Sequence, residues 1–460
     1  MLTINDCLQT ISIERAALFI TTKVAFDRSK GYIQSLDNQT FWEFARKMDS
    51  RLCKINKQLI TGEYQFGPCK EITRIRSGKE RKIYISTWSD RIVERWLSTA
   101  INYQLNGYFS QSAFAYRRQS LGIDACQYKI ATALRSNKYF IQRDISKYFY
   151  SINHDILLAQ LSKLVDTKLL ALLEQRIKFQ YDSGEGLKSA ILGLPFGTPI
   201  ACVLSNIYLT DLDKQMGELP VRYFRYADDY LIVSDSPKRA MEAADTLDIG
   251  LASLQLKTKL SHSNNLTFTQ EPGFTTVTKL RYLGLEFRPN KVVRLPIEKQ
   301  RKIINFFKRG IAAEASVIKK APDRLVAVVD IANKVVEKRI RSVAIIDYYL
   351  KHITDEHQLS CMDRIIAELV ISTVTGRPFR KGHFRKYPYS RLRQLGLVSL
   401  VHRSRLLRCN KLRVPFLTMF DSLMLERYES AVERNLIRIQ RVKMSRKLKN
   451  LDCSRKDMVV

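Results

Sequence analysis

Two aspartates stand side by side at Asp228 and Asp229, with an apolar run before them (Val221 to Tyr226) and another after (Tyr230 to Val233). Apolar strand, two acids, apolar strand predicts a hairpin whose turn carries the carboxylates. Asp is common in turns because its side chain bonds the local backbone, so an Asp-Asp turn alone is also ordinary turn chemistry. A third acid adds weight. Asp144 sits in the apolar stretch Tyr139 to Ile145 and is followed by Tyr148-Phe149-Tyr150. Two strands that each end in Asp can bring carboxylates together from distant parts of the chain, and crowding them costs free energy unless a cation compensates. Oxygen donors of this kind suit Mg²⁺, which keeps some waters and takes one or two carboxylates plus phosphate oxygens. Two such ions, roughly 3.5 to 4 Å apart, activate an attacking hydroxyl and stabilise a leaving pyrophosphate.

Those acids need strands beneath them. From about residue 138 to 290 short apolar strands alternate with helices: Tyr139 to Ile145, Val221 to Tyr226, Tyr230 to Val233 and Leu280 to Phe287 read as strands, Ile200 to Gln215 and Lys238 to Leu256 as helices. That is an α+β layout with helices packed on one face of a sheet. Upstream, Phe41, Phe44, Met48, Leu52, Ile55 and Leu59 recur at helical spacing, and EITRIRSGKERKIYIS alternates around Ser77-Gly78 as a hairpin with basic flanks. Asp90 to Leu105 is helical again, and Ala113 to Lys129 adds a loop and a helix. After about residue 295 the pattern is nearly all helical. From Arg377 to Arg413 there is no acidic residue, while Arg, Lys, Phe, Tyr and His interleave through RPFRKGHFRKYPYSRLR. Cations there suit phosphates and aromatics suit unpaired bases, although Tyr387 and Tyr389 serve equally well as packing residues. The tail, Asp421 to Lys449, reads as a charged helix.

Composition names a partner class. Lys and Arg number 77 against 45 Asp and Glu in 460 residues, a formal net charge of +32. So large an excess on a chain with 45% hydrophobic residues calls for a polyanion, nucleic acid first and anionic lipid second. The eight cysteines include no CxxC pair, which argues against a zinc site and a secreted disulfide framework. With no signal peptide and no apolar run of roughly 18 residues, a cytoplasmic protein off the membrane is expected.

In order and spacing these segments resemble the palm motifs of reverse transcriptases, in particular the bacterial group II intron, retron and abortive-infection lineages, over roughly residues 30 to 290. FGPCKEITRIRSGKERKIYI resembles the family's fingers hairpin and SDRIVERWL the helix after it. SAFAYRRQSLGIDA resembles its second fingers segment, and GLPFGTPIACVLSNIYLTDLD the loop and helix that hold template and incoming nucleotide. LQLKTKLS and KLRYLGLEF resemble the later palm motif and the primer-grip turn. The resemblance implies a right-hand polymerase: N-terminal helices and fingers over 1–137, palm over 138–290 with the template loop at 185–215, a helical thumb over 291–375, and a basic helical extension over 376–460. It implies RNA-directed DNA synthesis with two Mg²⁺ ions (or Mn²⁺), taking dNTPs and an RNA template and making DNA.

Carried over by residue, Asp144, Asp228 and Asp229 would be catalytic and hold the metals, with the Ile145 carbonyl as a further ligand. Lys79, Arg81, Phe149, Phe196 and Lys259 would meet the dNTP; Phe149 falls where the family places an aromatic gate against a ribose 2′-hydroxyl. Arg81 is the preferred triphosphate partner over Lys82, because Arg binds phosphate bidentately. The register leaves Lys257 or Lys259 open as proton donor. Arg117, Gly197, Tyr226, Gly284, Arg377, Arg380, Lys381, Arg385 and Lys386 are expected on nucleic acid. Two departures stand out: Pro195-Phe196-Gly197 replaces the family's Pro-Gln-Gly, and Ala201 stands where Ser is common. They leave room for untemplated or protein-primed synthesis by the same site, and a silent RNA-binding scaffold is a further alternative. No second catalytic centre is visible, which points to a stand-alone bacterial enzyme in antiphage defence with a dedicated structured noncoding RNA. A homo-oligomer or a partner protein stays open.

Overall fold

The computed structural model describes residues 1–409, without 27, 77, 118–120, 260–262, 290, 338 and 341–342. The expected tail helix, Asp421 to Lys449, lies outside the described residues.

The chain opens in helices, Ile4–Thr10, Ile13–Phe26, Phe41–Ala45 and Met48–Thr61. The helical run expected from Phe41 onward is broken once, and each half carries its own signal. Thr40 and Glu43 form a capping box at the first start, and Gly62, at φ 78°, closes the second in the left-handed conformation. Leu52, Ile55 and Leu59 are the buried face of the second helix. Strands Cys69–Arg76 and Lys79–Ile85 then pair antiparallel, with Thr73 opposite Lys82 and Arg74 opposite Arg81. This basic hairpin is extended by two short strands the sequence reading missed. Gln180–Asp182 joins it in parallel and Leu187–Ser189 closes the four-stranded sheet. Tyr84 packs its ring on Phe179 and Tyr181 at 4.7 and 5.2 Å, sealing that joint.

A second sheet carries the acids. Its order is Arg222–Tyr226, Asp229–Ser234, Tyr139–Asp144, Asn264–Thr267, Thr275–Thr276. Strand side chains alternate between faces, and here both faces are covered. Ile141, Tyr230 and Ile232 enter the core shared with the N-terminal helices and with Trp88–Gln104 and Pro199–Glu218. Phe140, Leu231 and Val233 enter a different core, built with the C-terminal helices. Helix Pro237–Ser253 packs across the two acid-bearing strands, and its Gly250 lets it approach Leu212, whose Cδ1 would lie 2.3 Å from an added Cβ.

Leu280 to Phe287, expected as one strand, is a hairpin. Leu280–Tyr282 and Leu285–Arg288 pair around Leu283 and Gly284, whose φ values are 45° and 76°. Two consecutive positive φ angles are what a two-residue type I′ turn demands, and they fold the strand back on itself. Val292–Arg294 adds a third strand. Helices Ile297–Ala313, Arg324–Glu337 and Glu356–Thr375 follow, as the periodicity predicts, interrupted by a two-residue strand pair at Arg339–Ile340 and Val343–Ala344. Among the described residues no helix is long and apolar enough to cross a membrane.

Candidate active site

The acids meet because of strand register. Asp144 ends its strand directly opposite Asp229, and Tyr226 pairs with Asp229 across the turn that holds Ala227 and Asp228. Opposed residues in an antiparallel pair share a face with Cβ atoms about 5 Å apart. Phe140, Gln142 and Asp144 alternate with Ile141 and Arg143, so Asp144 and Asp229 project on the face that also carries Phe140, Leu231 and Val233. Ala227 has φ 61°, a left-handed backbone that costs a residue with a Cβ, and the surroundings hold it there. The Ile145 N–H donates to the Asp228 carbonyl at 3.0 Å, and the Tyr282 hydroxyl donates to the Asp229 carbonyl at 2.9 Å. From behind, the Arg225 guanidinium donates to the Ala227 carbonyl and to Asn206 Oδ1, each at 3.1 Å, and Nε donates to buried Asp213 at 2.7 Å. Burial works against the Arg225 charge, and the Asp213 carboxylate beside it more than restores it.

The carboxylates lack positive charge. Burial pushes Asp229 up to about 8, with the Asp144 and Asp228 charges adding to it. Asp228 is raised too, by burial and by Asp144, while Lys259 and Arg81 pull the other way. Lys259 sits on Asp144, with Nζ 2.7 Å from Oδ2 and its own backbone N–H on the Asp144 carbonyl. Asp144 Oδ1 is buried with no partner. Three crowded carboxyls, one lysine and an orphaned oxygen fit a divalent cation, which supplies the charge the protein leaves out. Among the described residues no three such side chains already stand in ligating geometry, and Lys259 Nζ is on Asp144 Oδ2.

The other expected residues divide. Lys259, not Lys257, reaches the acids; Lys257 is exposed, and Ser146 bonds its carbonyl. Arg81 is exposed on the basic hairpin, and its charge acts on Asp228 and Tyr150. Lys82 is held by Glu71 at 3.0 Å, and the side chain of Lys79 lies outside the described residues. Phe149 is only 8% exposed and packs against Phe196 at 5.1 Å and Tyr116 at 6.3 Å. Gly197 (φ 107°) turns the loop so close to the hairpin that an added Cβ would lie 2.7 Å from Ile83 Cγ2. Tyr226 is half-buried, and Gly284 lies under the Lys299 stem.

Arg117 needs correcting. Expected on nucleic acid, it is buried, and its guanidinium donates to the Ser110 and Asn106 carbonyls at 2.8 and 3.0 Å and to Asn106 Oδ1 at 3.1 Å. It staples its own loop. Arg377, Arg380, Lys381, Arg385 and Lys386 are all exposed, whereas Phe379, Phe384 and Tyr387 lean on the C-terminal core. Cations face outward there and most of the interleaved rings face in. Arg225 and Asp213 were not singled out from sequence, although an Arg flanked by aromatic residues in the middle of a strand (RYFRYADD) is the trace that buried pairs leave.

Residues 70–287 match the family described as reverse transcriptase (RNA-dependent DNA polymerase). A protein of Schizosaccharomyces pombe, described as an uncharacterized 91 kDa protein in cob intron, is 29% identical over 163 residues, covering 35% of this chain and 20% of that protein. Protein YkfC of Escherichia coli is 24% identical over 257 residues, 46% of this chain and 68% of its own length. Group II intron-encoded protein LtrA of Lactococcus lactis is 25% identical over 183 residues, 38% of this chain and 30% of that protein. The chain thus spans about a fifth of the yeast relative and under a third of LtrA. A solved apo telomerase from Candida tropicalis, truncated from its C-terminal domain, overlays 54% of this chain and 60% of its own at 10% identity and a TM-score of 0.41. Residues 70–287, just under half of this chain, thus carry the similarity to reverse transcriptases, on the mixed α+β fold described above.

Proposed function

We propose that this chain copies RNA into DNA, joining a strand's 3′-hydroxyl to the α-phosphorus of a dNTP with release of pyrophosphate. The observation that carries the reading is the opposed pair Asp144 and Asp229, with Asp228 on the adjoining turn, desolvated and short of positive charge inside a reverse transcriptase domain. Asp144, Asp228, Asp229 and the Ile145 carbonyl would hold two Mg²⁺ ions, with Mn²⁺ an alternative. Bound there, such ions activate the attacking oxygen and offset charge on the leaving group. The chain's own residues do the rest. Arg81 takes triphosphate oxygens, Lys259 keeps Asp144 oriented and holds a proton near the leaving group, and Phe149 excludes a 2′-hydroxyl. Phe196 adds an apolar wall to that pocket, while Gly197, Tyr226 and Gly284 line the path of template and product strands. The exposed cations from Arg377 to Lys386 track the RNA backbone. In this reading 1–137 carries the fingers, 138–290 the palm, 291–375 the thumb and 376–460 a basic extension.

The finer part is a bacterial, cytoplasmic enzyme of antiphage defence with a dedicated structured noncoding RNA; the resemblance to the abortive-infection and retron lineages supports it. The test is to sequence nucleic acid copurified with the wild type and with Asp228→Asn after incubation with dNTPs and Mg²⁺. A cDNA matching one bound RNA, absent from the variant, is expected. DNA matching no bound RNA would favour untemplated synthesis, which the apolar Phe196–Phe149 contact makes worth separating. RNA without DNA from either protein would leave an RNA-binding scaffold. Phage plaque counts on cells carrying each version test the defence role.

A further inference from the structure

Both ends of the basic hairpin, Cys69–Arg76 and Lys79–Ile85, are tied to one buried guanidinium. Arg176, the last residue but one of helix Thr167–Ile177, is fully buried. Its Nη2 donates to Cys69 Sγ at 3.1 Å, where the first strand starts, and to the hydroxyl of Ser86, one residue past the second strand. The same nitrogen pairs with Glu94, which is buried on helix Trp88–Gln104. Ser86 Oγ donates to Glu94 Oε1 at 2.7 Å, and Arg176 Nη1 donates to the Gly67 carbonyl at 3.5 Å. Strand start, strand end and two helices thus converge on a single planar group, whose fork fixes direction as well as distance.

This cluster is a poor source of stability. Glu94 Oε2 and Arg176 Nε are buried with no partner among the described residues, and an unpaired buried polar atom is destabilising. A buried ion pair is often no more stable than apolar side chains of similar volume. What the charges add is orientation. Arg81 stands on the second strand, five residues before Ser86, a lever of about 17 Å at roughly 3.4 Å per residue. A tilt of about 5° at the root would carry Arg81 about 1.5 Å, and misplacement by about 1 Å can cost on the order of 10²-fold in rate. Nearer the tip, the Tyr150 hydroxyl donates to the Lys82 carbonyl at 2.7 Å, and the Tyr84 N–H donates to the Phe196 carbonyl at 3.0 Å. Both of those bonds act on the second strand, whereas the Arg176 cluster holds the first and the second together.

We propose that Arg176, fixed by Glu94, is a positioning residue that sets the tilt of the basic hairpin and so holds Arg81 where a dNTP triphosphate meets it. This rests on the reading of Arg81 as the triphosphate partner. Arg176 and Glu94 touch no substrate and act through the hairpin.

The test uses the full chain and a variant that removes both charges but keeps apolar volume, Glu94→Leu with Arg176→Met. Arg176→Lys keeps the charge and loses the fork. Both should stay folded by thermal melting; where the double variant does not, Ser86→Ala, which removes a hydroxyl and no charge, takes its place. In single-nucleotide primer extension the double variant should raise the dNTP KM about ten-fold and leave primer–template affinity unchanged, with Arg176→Lys between it and the wild type. In an Arg81→Ala background the same two substitutions should change KM by less than about two-fold, because there is no longer a group to misplace. A second readout needs no chemistry. Nitroxides on ketone-bearing amino acids at exposed Ile75, on the hairpin, and exposed Ile249, on helix Pro237–Ser253, report their separation by pulsed electron double resonance. That distance should shift or broaden by about 1–2 Å in the double variant. The proposal is overturned if the folded variant keeps the wild-type KM, or if KM rises equally with and without Arg81. If Arg81→Ala alone keeps the wild-type KM, or the wild type makes no DNA, the reading beneath the proposal fails. The hairpin distance then decides for or against Arg176 as the residue that sets the tilt.

Discussion

Replacing Asp213 by Asn separates what holds the acid-bearing turn from what holds the fold. Asp213 is 0% exposed and Arg225 1%, so the substitution leaves a buried guanidinium whose Nε and terminal nitrogen face an amide. Breaking a buried pair from one side costs about 3–5 kcal/mol, because the remaining charge is uncompensated. At roughly 2–4 °C per kcal/mol for a domain of this class, the melting temperature should fall by about 6–20 °C. Removing both partners is different. Asp213→Leu with Arg225→Met replaces the pair by apolar volume, which in buried sites is often neutral, so most of the melting temperature should return. Activity should not return, because Arg225 also donates to the Ala227 carbonyl and Asn206, and the turn carrying Asp228 loses that support. Differential scanning calorimetry and primer extension on the same three proteins read both quantities. A single variant melting within 1 °C of wild type, or a double variant with full activity, would refute the reasoning.

Asp229→Asn should abolish extension yet raise the melting temperature in chelator, since it removes a desolvated carboxyl repelled by Asp144 and Asp228; Mg²⁺ should stabilise the wild type and not the variant, as thermal shift with and without the ion would show. Phe149→Ala should narrow the preference for dNTP over rNTP by about ten-fold or more in competition extension, the scale of losing one steric contact in a closed pocket. Gly193→Ala puts a Cβ 2.8 Å from the Phe149 carbonyl oxygen and the Tyr150 Cα at φ 84°, so it should cost more than about 1 kcal/mol in denaturant melts and lower turnover. Hydrogen bonding to Arg405 holds Glu356 down at about 2, so its anchoring of helix Leu400–Arg408 is complete above about pH 4.5 and is lost as pH falls toward 2; hydrogen exchange of that helix should follow that window, and Glu356→Gln should flatten it.

Local signals carried the acids. Each lies at a strand end or turn, and alternation of apolar residues over five or six positions is enough to place a strand and its faces. The resemblance then tied the two strands together, a step that the alternation alone does not make. Contacts between distant segments were not legible. Lys257 and Lys259 have the same parity and similar neighbours, so only the bridge of Ile145 to Thr258 and the bond from Lys259 to Asp144 separate them. Arg117 sits beside another arginine in an apparently exposed loop, and nothing in its neighbourhood announces that Asn106 and Ser110 fold back to take its donors. Glu94 and Arg176, both buried and paired between helices far apart in the sequence, left no trace in the pattern because each looks like an ordinary charge on its own helix. The apolar pattern reads Leu280 to Phe287 as one strand because Leu283, a poor residue for positive φ, hides the turn that Gly284 marks; the resemblance alone put a turn there.

The strand Tyr139–Asp144 pairs on both sides with segments that come later in the chain, Asp229–Ser234 and Asn264–Thr267. During synthesis it therefore leaves the ribosome with two unsatisfied edges and waits, at roughly 5–20 residues per second, for several seconds before either partner emerges. Until then the cores that Phe140 and Ile141 enter are incomplete, the one lacking the C-terminal helices and the other Pro199–Glu218. The interval is a window for misassociation, and it makes a useful cut. A nascent chain halted between Ser189 and Arg222 is expected to be chaperone-dependent, and the separately expressed remainder to be the complement that rescues it.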